Sequence, residues 1–171
     1  TEIGEPEMKL STHLLCNSYE NNYNKIVSVI SDYLKENTDA KLIKQKISNN
    51  KYNLIAMFGN PTLMINCHMD TVPPVDSWKT DPLKLVITKD KVYGLGTCDT
   101  KGNIYALLKA VKKVKPKNLM LLFSVDEEQG KIDSGVTSFL KSKYKKAIKK
   151  AIVCEPTSLK FVNKHKGYFS Y

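Results

Sequence analysis

One histidine and five carboxylates stand out by type and position: His68, Asp70, Asp99, Glu127, Glu128 and Glu155. Imidazole and carboxylate are the donors that divalent metals of hard or borderline character prefer. A pair of such ions needs a bridging group and terminal ligands for each. His68 can supply a neutral nitrogen, and Asp70, two residues on, can accept the other ring N–H and fix the tautomer. Asp99 can bridge with two oxygens, and Glu128 and Glu155 are terminal candidates. Glu127, adjacent to a ligand candidate, can take a proton from an activated water and return it to a leaving amine. Taken singly, each residue has an ordinary explanation. His-x-Asp is a short pattern, Glu pairs favour helix starts, Glu-Pro-Thr is common loop sequence, and Asp99 could cap the helix that follows. Their joint occurrence is what carries the metal reading, because each follows a segment that reads as a strand.

Those segments are legible from periodicity. Apolar positions from Tyr19 to Leu34 recur at helical spacing. Ala40 to Ile47 alternates like a half-buried strand, and Asn49-Asn50 turns the chain into a strand over Asn53 to Phe58. Thr62 to Cys67 and Asn118 to Val125 are short continuous apolar runs, the form of buried strands. Pro73, Pro74 and Trp78 lie in a loop, and Leu83 to Thr88 with Lys91 to Tyr93 reads as a hairpin. A glycine-bearing loop, Gly94 to Gly102, leads into a helix over Asn103 to Val114. A second helix is expected over Val136 to Lys146, and a strand over Ala151 to Cys154. Strands alternating with helices predict an α/β domain with a mixed, largely parallel central sheet flanked by helices. In such sheets ligands gather beyond the carboxyl ends of the strands, where His68, Glu127, Glu128 and Glu155 fall.

Composition limits the function classes. The 171 residues are 42% hydrophobic, enough for one domain with its own core. No apolar run reaches the roughly 20 residues of a membrane span, and Thr1 to Leu10 lacks the pattern of a signal peptide. These features predict a soluble, cytoplasmic protein with no membrane partner. The net charge is +10, yet all 27 basic residues are lysine. Nucleic-acid readers favour the bidentate fork of arginine, so the lysines read as solvated helix faces and no nucleic-acid partner is expected. A basic binding module, motivated by charge alone, is the weakest of the open readings. Cys16, Cys67, Cys98 and Cys154 form no Cys-x-x-Cys pair. Three of them directly precede His68, Asp99 and Glu155, so they read as small core residues behind the site.

Larger motifs then assemble. NCHMDTVPP, Trp78, Asp81-Pro82, VYGLGTCDTKG, SVDEEQG, CEPTS and NKHKG occur in that order from His68 onward. Together they resemble the acetylornithine deacetylase, succinyl-diaminopimelate desuccinylase and aminoacylase family of co-catalytic zinc amidohydrolases. The resemblance implies a zinc-peptidase-like catalytic domain. His68 and Glu155 would hold one zinc, Asp99 would bridge, and Glu128 would serve a second. Glu127 would be the general base and Asp70 the orienter of His68, with a cis peptide before Thr100. Cobalt or manganese could replace zinc. The implied reaction is hydrolysis of an N-acyl amino acid, with N2-acetyl-L-ornithine giving L-ornithine and acetate in arginine biosynthesis. Succinyl-diaminopimelate and a catalytically inactive metal-binding remnant are the alternatives. Cys67 stands where the family usually has glycine. The family also has a lid domain, expected here to start near residues 164–171, through which homodimers commonly pair. A return segment then brings a last histidine ligand. His13 and His165 match neither the lid histidine nor that ligand, so residues 1–171 read as a partial catalytic domain.

Overall fold

A computed structural model describes residue 14 and residues 23–130 and 132–164. His13, Cys16, His165 and the lid connection beyond residue 164 lie outside the described residues. The first described helix, α1, covers Tyr23–Asn37 and buries Tyr23, Ile26, Val27, Ile30 and Leu34, a stripe at the 3–4 residue spacing of one helix face. Strands β1 (Lys41–Ser48) and β2 (Lys51–Gly59) form an antiparallel hairpin. Then come β3 (Leu63–His68), a two-residue pair β4 (Val86–Ile87) and β5 (Val92–Tyr93), and helix α2 (Lys101–Val114). Strand β6 (Asn118–Ser124), helix α3 (Gly135–Leu140), a 3-10 turn at Lys143–Ala147 and strand β7 (Lys150–Val153) complete the described chain.

The five long strands form one sheet in the order β1-β2-β6-β3-β7. β6 and β7 pair parallel to β3, while β2 is antiparallel to both β1 and β6. Four of the five strands therefore run the same way, the mixed and largely parallel sheet that the alternation predicts. Successive residues face opposite sides. Leu121 and Phe123 of β6 enter a large core with Cys67, Ile104, Leu108 and the apolar stripe of α1. Met120 and Leu122 enter a smaller one with Ile55, Met64 and Phe139 of α3. Helices thus cover both faces of the sheet, and the continuous apolar runs of β3 and β6 are explained by burial on both sides.

Two elements depart from the sequence reading. The helix expected over Val136 to Lys146 stops at Leu140. Ser142 then accepts a hydrogen bond from the Tyr144 backbone N–H and starts the 3-10 turn. Apolar spacing continues through the break, but a serine hydrogen-bonding to the nearby backbone offers the chain an alternative to the helix, and the lysines that follow bring no acidic partner at i+4. The hairpin after Leu83 pairs over two residues per strand only. The lysines of the 3-10 turn and of the end of α2 are exposed, as a solvated face requires. No helix among the described residues is long and apolar enough to cross a membrane.

Candidate metal and catalytic site

The site lies where three parallel strands end side by side. His68, the last residue of β3, is in register with Ser124, the last of β6. On its other side Asn66 is in register with Val153 of β7, and the Cys154 N–H continues the ladder to the Asn66 carbonyl at 2.9 Å. The residues leaving β6 and β7, the acids Glu127, Glu128 and Glu155 among them, are therefore delivered to either side of one imidazole. Asp99 arrives from the loop before α2, and the Asp99–Thr100 peptide is cis. Thr100 occupies the helix N-cap without a side-chain capping bond, and Asp99 turns to the imidazole instead of capping.

The His68 ring is buried at 2% exposure. Its Nδ1 lies 2.9 Å from the Asp70 carbonyl and its Nε2 lies 3.0 Å from Asp99 Oδ1. The Asp70 contact to the ring runs through its main chain; its Oδ1 stands 3.7 Å from Nδ1. The carboxylate Oδ2 of Asp70 instead accepts the Glu128 backbone N–H at 3.0 Å. Asp70 thus ties the β3 exit to the β6 exit. Its Oδ1 is buried with no hydrogen-bond partner among the described residues. Glu127 Oε2 lies 3.9 Å from His68 Nε2.

Two groups of ligand atoms converge within 4.8 Å of one another: His68 with Asp99 and Glu155, and His68 with Glu127 and Glu128. Five of the six residues singled out from sequence thereby converge at the end of β3, and Asp70 touches two of them, the His68 ring and the Glu128 backbone. Trp78, Leu95 and Cys98 line an adjoining cavity of about 270 Å³ that Asp99 and Glu128 border.

The crowding of like charge shows in the titration. Burial alone would lower the His68 pKa, but the carboxylates of Asp70, Glu127 and Asp99 hold it above its ordinary value. Burial raises Glu128, and Asp99 adds to the shift. Burial also raises Glu155, with Asp99, Glu127 and Glu128 reinforcing it. Carboxylates thus outnumber the one imidazole they surround, and each charge shifts its neighbours.

A set of residues without local sequence signals holds the acidic loop. Asp126 sits at φ +59°, a left-handed conformation that aspartate tolerates better than most residues. It is buried, accepts the Tyr23 hydroxyl at 3.1 Å, and forms an ion pair with Lys51. Burial raises the Tyr23 hydroxyl well above its ordinary value, and Asp70 and Asp126 add to that. Asn53 accepts the Val125 N–H at 3.2 Å and donates to the Gly135 carbonyl at 2.7 Å, closing both ends of the loop. Any side chain at residue 135 would collide with this clamp, since a Cβ there would lie 2.2 Å from Asn53 Oδ1.

The cysteines divide. Cys67 is buried in the main core and Cys154 packs against it, as expected of residues behind the site. Cys98 is exposed, because it lies in a loop where the alternation of a strand does not apply.

The profile of Peptidase family M20/M25/M40 matches residues 64–165. The chain belongs to this family. The acetylornithine deacetylase of Buchnera aphidicola subsp. Schizaphis graminum is 35% identical over 99% of the chain, which covers 46% of that relative. The acetylornithine deacetylase of Pasteurella multocida is 37% identical over 71% of the chain and 33% of its own length. This M20 chain spans less than half the length of the curated relatives it matches. Its fold is shared with human carnosine dipeptidase 1 at a TM-score of 0.64, with 18% identity and coverage of 85% of this chain and 36% of that one. A di-peptidase from Saccharomyces cerevisiae gives a TM-score of 0.63, with 22% identity over 86% of this chain and 36% of that one. A Bacillus subtilis protein described as a dinuclear metal binding peptidase gives 0.54, with 14% identity over 85% of this chain and 42% of that one.

Proposed function

We propose that the complete protein hydrolyses the amide of an N-acyl amino acid, first among them N2-acetyl-L-ornithine, to give L-ornithine and acetate. Residues 1–171 would form part of its catalytic half. The observation that supports this best is the meeting of His68, Asp99, Glu127, Glu128 and Glu155 at one sheet end. The acetylornithine deacetylase name of the relatives supports the substrate. Arginine biosynthesis in the cytoplasm is the setting that this substrate implies.

The donor set fits a divalent ion. With Nδ1–H given to the Asp70 carbonyl, the Nε2 lone pair faces Asp99 Oδ1 at 3.0 Å. In that neutral tautomer two acceptors stand in apposition, and His68, Asp99, Glu128 and Glu155 are the donors that would hold a divalent ion. His68 and Glu155 would hold one zinc, Asp99 would bridge, and Glu128 would serve the second. Bound zinc supplies a Lewis acid and lowers the pKa of water toward neutrality. Glu127, half exposed and next to the ring, takes a proton from the attacking water and passes it to the departing amine. Asp70 holds the His68 tautomer through its carbonyl and positions the Glu128 backbone through its carboxylate.

The test is Glu127→Gln in the full-length protein, assayed with N2-acetyl-L-ornithine and with N-succinyl-L,L-diaminopimelate. Turnover should fall about 100–10,000-fold with unchanged zinc content, as loss of a general base requires. Retained turnover removes Glu127 from that role. Preference for the succinyl substrate would reassign the substrate within the same chemistry.

A further inference from the structure

Directly behind the site, on the core face of the sheet, two cysteines stand on neighbouring strands. Cys67 on β3 and Cys154 at the end of β7 continue the register that pairs Asn66 with Val153. Neighbouring strands lie about 4.8 Å apart, and a disulfide accepts Cα separations of about 4.4–6.8 Å. The two side chains share a face, Cys67 buried in the main core and Cys154 packed against it. Cys67 is 1% exposed, whereas Cys154 is partly open. Each thiol immediately precedes a residue of the pocket, His68 and Glu155.

We propose that Cys67 and Cys154 are a redox-active dithiol that peroxide closes to an internal disulfide, altering the spacing of His68 and Glu155. Hydrogen peroxide is the two-electron oxidant. It converts the more accessible Cys154 thiol to a sulfenic acid with loss of one water, breaking the O–O bond. The Cys67 sulfur then attacks the Cys154 sulfur. The S–S bond forms, a second water leaves, and two hydrogens and two electrons have passed from the protein to peroxide. A thiol reductant reverses the step by exchange through a mixed disulfide. The consequence for ion binding rests on the proposed metal site; the disulfide itself does not.

The experiment uses the chain carrying Cys16→Ser and Cys98→Ser, treated with hydrogen peroxide and digested with trypsin. Cys67 and Cys154 fall in different tryptic peptides, Tyr52 to Lys79 and Ala151 to Lys160. The expected result is a mass loss of about 2 Da, a covalent link between those two peptides, and reversal by dithiothreitol. Stepwise oxygen addition at Cys154 without that link would overturn the proposal. Cobalt titration then reads the coupling, with affinity about tenfold weaker in the oxidised form, the range seen when groups behind metal ligands are altered. Equal affinity in both forms overturns the coupling. A chain that closes the link but binds no cobalt in either state sinks the ion site and leaves the dithiol standing. Cys154→Ser should abolish the peroxide response of cobalt binding.

Discussion

The acids after β6 and the acid after β7 reach the same imidazole, but the chain secures them very differently. β6 is a central strand, paired on both sides, and five of its seven residues are buried. Its exit loop is closed by Asn53 and anchored below by the Tyr23–Asp126–Lys51 cluster. Among the described residues β7 is an edge strand of four residues, all exposed, paired only with β3. Glu155 is therefore placed by one strand ladder and by the packing of Cys154 against the main core. Glu127 and Glu128 sit on a loop tied at Val125, Asp126, Glu128 and Gly135, while among the described residues Glu155 follows a strand with one neighbour. A cation that joins Glu155 to His68 would gain most of its effect on that less anchored side.

This contrast can be broken by substitution. Phe123→Ala in β6 removes a fully buried ring and should cost about 3–5 kcal/mol in urea unfolding. Ile152→Ala in β7, 44% exposed, should stay within about 0.5 kcal/mol. Comparable losses at both positions would erase the distinction. Asp126→Ala leaves the mostly buried Lys51 ammonium without its partner and should cost about 3 kcal/mol. It should also weaken cobalt binding through Glu128, whereas a loop held by Asn53 alone would bind as before.

The smallest effect is one of pH. His68, Glu128 and Glu155 all have raised pKa values in the ion-free protein, so protons compete with the cation. Ion binding must expel those protons, and affinity should rise as pH climbs through and above the ordinary histidine value of 6.5. Without ion the two glutamates act in the opposite sense on stability. With folded pKa values above the unfolded ones, their contribution is greatest below the unfolded value and declines as pH rises through the folded one. Calorimetry in buffers of different ionisation enthalpy measures the proton release, and thermal melts with and without cobalt measure the stability. Affinity that is flat between pH 5 and 8 (about the range where these groups titrate) would contradict the crowded-carboxylate reading.

Much of this arrangement was legible in the residues. β3 and β6 announce themselves as apolar runs because burial on both faces leaves no polar alternation to confuse them. An acid or histidine directly after such a run has to emerge at the end of a strand. Other parts have no local signature. The turn at Ser142 interrupts a helical pattern whose apolar spacing carries on. The closing groups of the acidic loop come from Tyr23, Lys51 and Asn53, up to 103 positions away. Asp70 was recognisable as a partner of His68, but its carbonyl makes that bond while its carboxylate secures the Glu128 backbone.

By itself the sequence determined the kinds of donor available, the strands that carry them and the family to which the chain belongs, because burial period and motif order are local properties. Tertiary structure decided which atoms meet. Only the strand order β6-β3-β7 sets Glu128 and Glu155 on opposite sides of one ring. Only the packing of α1 and the β1–β2 hairpin brings Tyr23, Lys51 and Asn53 under the acidic loop. Hydrogen bonds and ion pairs act over a few ångströms, and chain separation says nothing of that distance until the sheet has formed.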